Sequence, residues 1–319
     1  MSRFDTGVQR NKKKSKFFIE FIRQWELQVM VIPAIILVVV FSYIPMFGIV
    51  IAFQNYKIGD FFGFSQFVGL KNFKDFIKDP NLLLIIRNTL CISVLKLIFT
   101  FPAPIILALL FNEMNSVAYK RIIQTTSYLP HFLSYVVVAA LFTDLLSVRG
   151  SINELLMNFS LIPGPINFFS KPSMFWPILV VSDLWKELGW GSILYLGAMS
   201  AVNVESYEAA VLDGAGRWQK IWHITLPYIK PTIVIMLVFS ISGLLSANFE
   251  QIMLFTNQLR NTLVIDVADV IDTYVYRLGI NGGRYSYSAA VGLFRNVISF
   301  LLLLAANWVA KKTTEESLF

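Results

Sequence analysis

The sequence predicts an all-α, polytopic membrane protein with about six transmembrane helices. Three observations predict it. Hydrophobic residues make up 56% of the 319-residue chain and charged residues 15%, where a water-soluble domain carries about 25% charged. The mean hydropathy is +0.62. The apolar residues fall into long runs separated by polar segments. The 28 phenylalanines exceed what one ordinary core would bury, and a lipid-facing exterior accounts for the surplus.

Residues 1–26 form a polar, basic tail holding Arg3, Arg10, Lys12, Lys13, Lys14, Lys16 and Arg23. No charge then occurs from Leu27 to Tyr56. A bilayer core needs about 20 apolar residues in a helix, so 27–53 is the first span. Its length, and Tyr43-Ile44-Pro45-Met46 where a cleavage site would lie, mark it as retained rather than as a signal peptide. Residues 57–87 read as a loop, and 88–111 as the second span, interrupted by Lys96, Pro102 and Pro104. A short polar turn leads to a third span at 122–146, with Pro130 and His131 inside it. Residues 148–174 read as a loop rich in Pro, Gly, Asn and Ser. The fourth span, 175–199, carries Asp183, Lys186 and Glu187. A polar but patterned segment at 203–227 precedes the fifth span, 228–249. A second polar excursion precedes the sixth, 285–310, which holds Arg295. A short tail, 311–319, follows, opening on Lys311-Lys312.

Six spans put both termini on one side. The cation excess, led by the N-terminal tail, makes that side the cytoplasm. The formal net charge is +7. Its concentration beside an apolar span points to an anionic membrane surface rather than to nucleic acid. One cysteine, Cys91, excludes an internal disulfide framework, and two distant histidines, His131 and His223, form no metal cluster. The chain has no G-x-x-x-x-G-K-[ST], so it binds no nucleotide through a P-loop, and it has neither G-x-S-x-G nor H-E-x-x-H.

Segment 203–227 carries the most information. Asn203 suits an N-cap, with Glu205 in the first turn opposing the helix dipole. Gly214 and Gly216 break the helix. A second amphipathic turn follows, with Trp218, Ile221 and Trp222 on one side, and Leu226-Pro227 closes it at the membrane. Alanines 209, 210 and 215 would let another backbone approach closely. Two readings fit the pattern: docking into a groove on a partner, or an interfacial helix lying on the bilayer.

Glu208-Ala209-Ala210-x-x-Asp213-Gly214-Ala215, followed by Ile224-Thr225-Leu226-Pro227, resembles the EAA signature of ABC importer permeases. Gly69-Leu70-Lys71-Asn72-Phe73, Arg87-Asn88-Thr89 and Trp185-Lys-Glu-x-Gly189-Trp190-Gly191 resemble the carbohydrate branch of that family. Asp272-Thr-Tyr-Val-Tyr276 and Tyr285-Ser-Tyr-Ser-Ala289 are similar to its importers of complex oligosaccharides, including pectin-derived, rhamnogalacturonan-type and uronate-containing fragments. Val204 stands where that family often has a proline.

The resemblance implies a type I ABC importer permease architecture in a bacterial cell membrane. A second homologous permease would complete a heterodimeric pore. Two ATP-binding subunits would dock beneath, and an extracytoplasmic solute-binding protein would deliver the oligosaccharide. The chain itself would be no enzyme and bind no cofactor, with ATP and Mg used by the ATPase partners. Glu208 and Asp213 would meet cationic groups on the ATPase. Ala209, Ala210 and Ala215 would set the approach distance, Gly214 would be the pivot, and Leu226 and Pro227 would complete the set.

For the substrate path, Tyr43, Trp190 and Tyr287 are candidate stacking faces. Asn248 and Glu250, with Gln251, belong to the outer end of span five in this reading. Lys186 stands within helical reach of Asp183 and Glu187, as a self-satisfied ion pair or as a substrate contact. Lys96 and Arg295 are single cations within spans, open to pairing with a partner permease or an acidic sugar. His131 reads as packing. A membrane-embedded enzyme would need clustered carboxylates. Asp266, Asp269 and Asp272 come nearest and read as the polar face of a short external helix. An ion-coupled carrier would need no docking segment.

Overall fold

The computed structural model describes residues 23–57, 59–60 and 65–314. Most of the basic tail at 1–26 and the end of the tail at 311–319 lie outside these. The described residues form helices joined by turns and loops, with one isolated antiparallel bridge between Gln54 and Phe67.

Helix α1, Trp25–Phe53, is 29 residues long. Its apolar window is wholly unburied, and it meets the body through its last turns along the final helix. Short α2, Lys71–Ile77, follows. Helix α3, Leu82–Asn112, starts six residues before the expected 88. Leu82–Ile86 continue the apolar run back to Asn81, so Arg87 lies inside a helix, where it donates to Asn88 Oδ1 at 2.9 Å and to the Asp266 carbonyl at 3.0 Å.

The expected third span is not continuous. Helix α4, Val117–Phe132, and helix α5, Tyr135–Leu145, meet at a 101° bend. Leu133 and Ser134 are extended, and Ser134 Oγ accepts from the Val137 N–H to start a new helix. The loop expected at 148–174 contains α6, Ser151–Asn158. Helix α7, Pro172–Met199, has 28 residues, about 42 Å at 1.5 Å per residue.

Helix α8, Val204–Leu212, is the first half of the patterned segment. Its expected second half is not a separate helix. It runs unbroken into the fifth span as α9, Arg217–Ser242, 26 residues long. Leu226 and Pro227 therefore lie inside a helix. Pro227 and Pro231 offer no N–H to the ladder, and a π turn at Ile221–Thr225 precedes them. Span five stops at Ser242 rather than 249. Asn248 instead caps a short helix α10, Phe249–Phe255. Two more, α11 (Ile265–Ala268) and α12 (Ile271–Tyr276), fill the excursion before α13, Tyr285–Thr314.

Among the described residues, α1, α3, α9 and α13 are long and apolar enough to cross a membrane, and the bent α4–α5 pair makes a fifth. α7 has the length, but Asp183, Lys186 and Glu187 set it apart. It is nonetheless the central packing element. Its Phe175, Ile178 and Leu179 pack with Ile92 of α3 and Ile252 of α10. Its Tyr195 and Met199 pack with Ile105 of α3 and Ile229 of α9. The α4–α7 crossing is so tight that a Cβ on Gly189 would stand 2.0 Å from the Ser127 carbonyl oxygen.

A third cluster joins α2, α3, α12 and α13 through Phe76, Ile85, Ile271 and Tyr287. Tyr274 and Tyr287 both donate to Asp79 Oδ2, the latter at 2.6 Å. Burial would raise the Asp79 carboxyl, but these bonds and those from Asn81 outweigh it and hold it below its ordinary value. Nor do the three aspartates form one polar face. Asp269 is buried and paired with Arg277, and Asp272 is paired with Arg295, so neither Asp272 nor Arg295 stands alone.

Candidate functional site

Two constellations stand out: an exposed segment at one end of the molecule, and a charged cavity between helices. The exposed segment begins at Asn203, whose Oδ1 accepts from the Glu205 N–H at 3.1 Å. α8 ends in a Schellman motif. Gly214 takes φ +76°, its N–H donates to the Val211 carbonyl at 3.0 Å, and the Ala215 N–H donates to the Ala210 carbonyl at 2.8 Å. Positive φ suits glycine, and nothing lies within 4 Å of a Cβ built there. Glu208, Ala209 and Asp213 are exposed, and Ala210 and Ala215 half-buried.

Leu212 is 89% exposed, and Tyr207, Glu208 and Val211 share an open hollow with it. Leu212 at the end of α8 and Trp218 and Trp222 at the start of α9 are all exposed, an apolar display of the kind that marks an interaction surface. Two bonds tie this segment to the adjoining span. Tyr207 OH meets Thr225 Oγ1 at 2.8 Å, and Tyr228 OH donates to the Ala201 carbonyl at 2.8 Å. Leu226 faces the other way, packing on the α3–α7–α9 cluster, while Pro227 beside it is exposed.

The cavity, about 310 Å³, opens between α3, α7 and α9. Lys96, Asp183, Glu187 and Trp190 line it, with Ser240 and Met236 from α9. Lys96 Nζ donates to Gln251 Oε1 at 2.6 Å and lies 3.5 Å from Asp183 Oδ1. The Tyr135 hydroxyl donates to the same Asp183 oxygen at 2.9 Å. Gln251 is itself buried and donates to the Leu179 carbonyl and to Ser182.

Lys186 takes a different partner from Asp183: its Nζ is 3.2 Å from Glu187 Oε1 and 2.7 Å from the His131 carbonyl. His131 is more than packing. Its Nδ1 lies 2.7 Å from Glu187 Oε2, and its ring stacks on Trp190 at 4.3 Å and 2°. Burying charges costs less when each is paired and hydrogen-bonded, and every charge here is paired. The network joins α3, the α4–α5 bend, α7 and α10.

The other expected substrate contacts scatter. Tyr287 is 4% exposed and bonded to Asp79, so it offers no free ring face. Lys186 is buried beside the cavity without lining it. Tyr43 sits on the unburied face of α1, away from the cavity. Asn248 is the α10 cap and Glu250 lies exposed in its first turn. Trp190 and Asp183 reach the cavity. Among the described residues no group of three His, Cys, Asp or Glu could hold a metal ion.

Residues 100–315 match the family described as binding-protein-dependent transport system inner membrane component. The chain is 46% identical over 296 residues to Protein LplB of Bacillus subtilis (strain 168), covering 92% of this chain and 91% of that one. It is 41% identical over 318 residues to the polygalacturonan/rhamnogalacturonan transport system permease protein YteP of the same strain, covering 99% and 97%. Among solved structures it is similar, at 39% identity and TM-score 0.83, to a chain of a bacterial ABC transporter involved in the import of the acidic polysaccharide alginate, covering 94% and 99%. A second such structure, at 38% and TM-score 0.84, is in complex with an alginate pentasaccharide-bound periplasmic protein.

Proposed function

The chain belongs to the family of binding-protein-dependent transport system inner membrane components, and on that premise we propose that it forms half of a heterodimeric pore importing acidic, uronate-rich oligosaccharides. It is a permease subunit of a bacterial ABC importer, located in the inner membrane and assembled with a second permease, ATPase subunits and a binding protein. It is not the catalytic subunit. In our reading ATP and Mg are bound by the ATPases alone, α7 is the sixth span, and both termini and α8 face the cytoplasm.

The observation that carries the mechanism is that α8 is exposed at its tip yet hydrogen-bonded to α9, which lines the charged cavity. Closure of the ATPases around ATP would move α8. The Tyr207–Thr225 and Tyr228–Ala201 bonds would carry that displacement into α9. Met236 and Ser240 would then shift against Lys96, Asp183 and Trp190, and the path would reopen outward. Glu208 and Asp213 face cationic groups on the ATPase in this account, while Ala209, Ala210 and Ala215 keep the approach close. Trp190, with one face on His131, offers its other face to a sugar ring, and Asp183 accepts sugar hydroxyls.

The test is reconstitution of the whole complex in proteoliposomes with its binding protein, screening oligosaccharides for uptake and stimulated ATP hydrolysis. Oligogalacturonates are expected to stimulate both. Stimulation by neutral oligosaccharides alone would overturn the acidic assignment. A cysteine at Leu212 that forms no cross-link to either ATPase would overturn the docking role.

A further inference from the structure

Among the described residues Lys96 pairs with Asp183, Lys186 with Glu187, Arg277 with Asp269 and Arg295 with Asp272. A different arrangement occupies the end of the molecule opposite α8. There, Lys57 after α1, Lys71 at the start of α2 and Arg284 before α13 converge on one hollow of about 300 Å³. Asp75 is its single acidic residue. Among the described residues none of the three cations has a carboxylate within ion-pair distance. Its lining therefore carries a net charge of about +2, whereas the charges at the interior cavity offset one another, Lys96 against Asp183 and Lys186 against Glu187. An anion is therefore attracted more strongly to the first than to the second.

The hollow is also built. The Arg284 guanidinium lies 4.1 Å from the Tyr287 ring centroid, and Tyr287 is itself fixed by Asp79. The Tyr56 N–H donates to buried Ser286 Oγ at 2.8 Å, joining the end of α1 to the start of α13. Asn72 Nδ2 donates to the Ala52 and Gln54 carbonyls at 2.9 and 3.1 Å. Tyr56 and Tyr285 meet edge to face at 6.3 Å on its wall. Cations from three chain segments line one hollow beside two aromatic rings, with Arg284 set over Tyr287, and suit a carboxylate-bearing sugar. The volume is that of a small-ligand site, larger than a lone side-chain carboxylate needs.

We propose that this hollow is an entry subsite for a uronate unit, holding its carboxylate with Lys57, Lys71 and Arg284 before the chain reaches the interior cavity. The inference rests on the acidic-oligosaccharide reading above and on its assignment of this end to the outside.

The experiment uses the assembled complex in nanodiscs without binding protein. The probes are trigalacturonate and its uncharged methyl ester, and the readout is direct binding by saturation-transfer NMR and calorimetry. Trigalacturonate is expected to bind, more weakly as salt rises, and the ester to bind far less. Single changes such as Lys71→Gln are expected to weaken binding about threefold, and the triple change Lys57→Gln/Lys71→Gln/Arg284→Gln about thirtyfold. Asp75→Asn is expected to tighten it, a sign that general damage would not give.

Equal binding by wild type and the triple variant overturns the proposal. So does a triple variant that binds trigalacturonate normally but loses affinity for the unliganded binding protein, which would assign the cations to protein docking. Failure of uronates to stimulate ATP hydrolysis in the full complex strikes the import reading instead, and is scored separately from binding here.

Discussion

The phenol of Tyr207 and the hydroxyl of Thr225 meet at 2.8 Å across eighteen positions of sequence. Thr225 is buried and sits in the π turn of α9, where its hydroxyl also reaches the Lys220 carbonyl five residues back. Tyr207→Phe deletes the contact and keeps the ring. The loss is about 1 kcal/mol, too little to unfold the protein. Expected in proteoliposomes is unchanged complex assembly with fewer sugars imported per ATP hydrolysed. An unchanged ratio would show that α8 acts on α9 by another route.

Gly214→Pro tests the α8 terminus. Proline fixes φ near −65° and has no N–H, whereas Gly214 sits at +76° and donates to Val211. The Schellman motif is lost at a cost of about 3 kcal/mol. Membrane insertion is expected to survive, because the site is exposed. Transport is expected to uncouple from hydrolysis. Normal uptake would remove Gly214 from the coupling account.

Gly189→Ala addresses packing. A methyl group at 2.0 Å from the Ser127 carbonyl oxygen cannot be accommodated without separating α4 from α7. A loss above about 3 kcal/mol is expected, seen as poor yield of assembled complex and a lowered melting temperature. Gly197→Ala on the same helix, with nothing within 4 Å, is the control and is expected to be silent.

Lys96 and Asp183 form a testable pair. Lys96→Met leaves the Asp183 carboxylate confined with the Tyr135 hydroxyl, and removal of one buried partner costs about 3–5 kcal/mol. The double variant Lys96→Met/Asp183→Asn is expected to recover much of that loss. Thermal melts of the four complexes give the coupling energy. Additive losses would mean that the two side chains do not sense each other.

Asp79 predicts an acid limit for the α2–α13 junction. Its carboxyl is held below its ordinary value, so its contribution is present above about pH 4 and fades as pH falls through the native value. Asp79→Asn is expected to lower the melting temperature at neutral pH and to flatten its fall in acid. Parallel wild-type and variant curves from about pH 7 to about pH 3 would contradict this.

What the sequence made legible was local. Asn203, Gly214 and Gly216 act through their immediate neighbours, so the bounds of α8 follow from residue types at fixed spacing. Ser134, a serine before the apolar run Tyr135–Leu141, was an available start signal for α5. The apolar composition continuing through Pro130 masked it. The network around the cavity was not legible. Lys96 finds Asp183 and Gln251 from distant parts of the chain, and helical spacing links Lys186 to Asp183 on paper while the fold gives each another partner. Tyr287 reads as a free aromatic because Asp79 lies 208 positions away.

The unbroken course of α9 would make any displacement at its start felt at its far end. From Arg217 to Ser242 is about 39 Å of rod, with no loop to absorb a push. The π turn at Ile221–Thr225 offsets the angular phase of everything beyond it, including Met236 and Ser240. Deleting one residue from that turn would shorten the rod by only about 1.5 Å, yet would swing those two side chains around the axis. In the proposed mechanism the rod would fix how far the stroke travels, and the π turn would fix which wall of the passage it strikes.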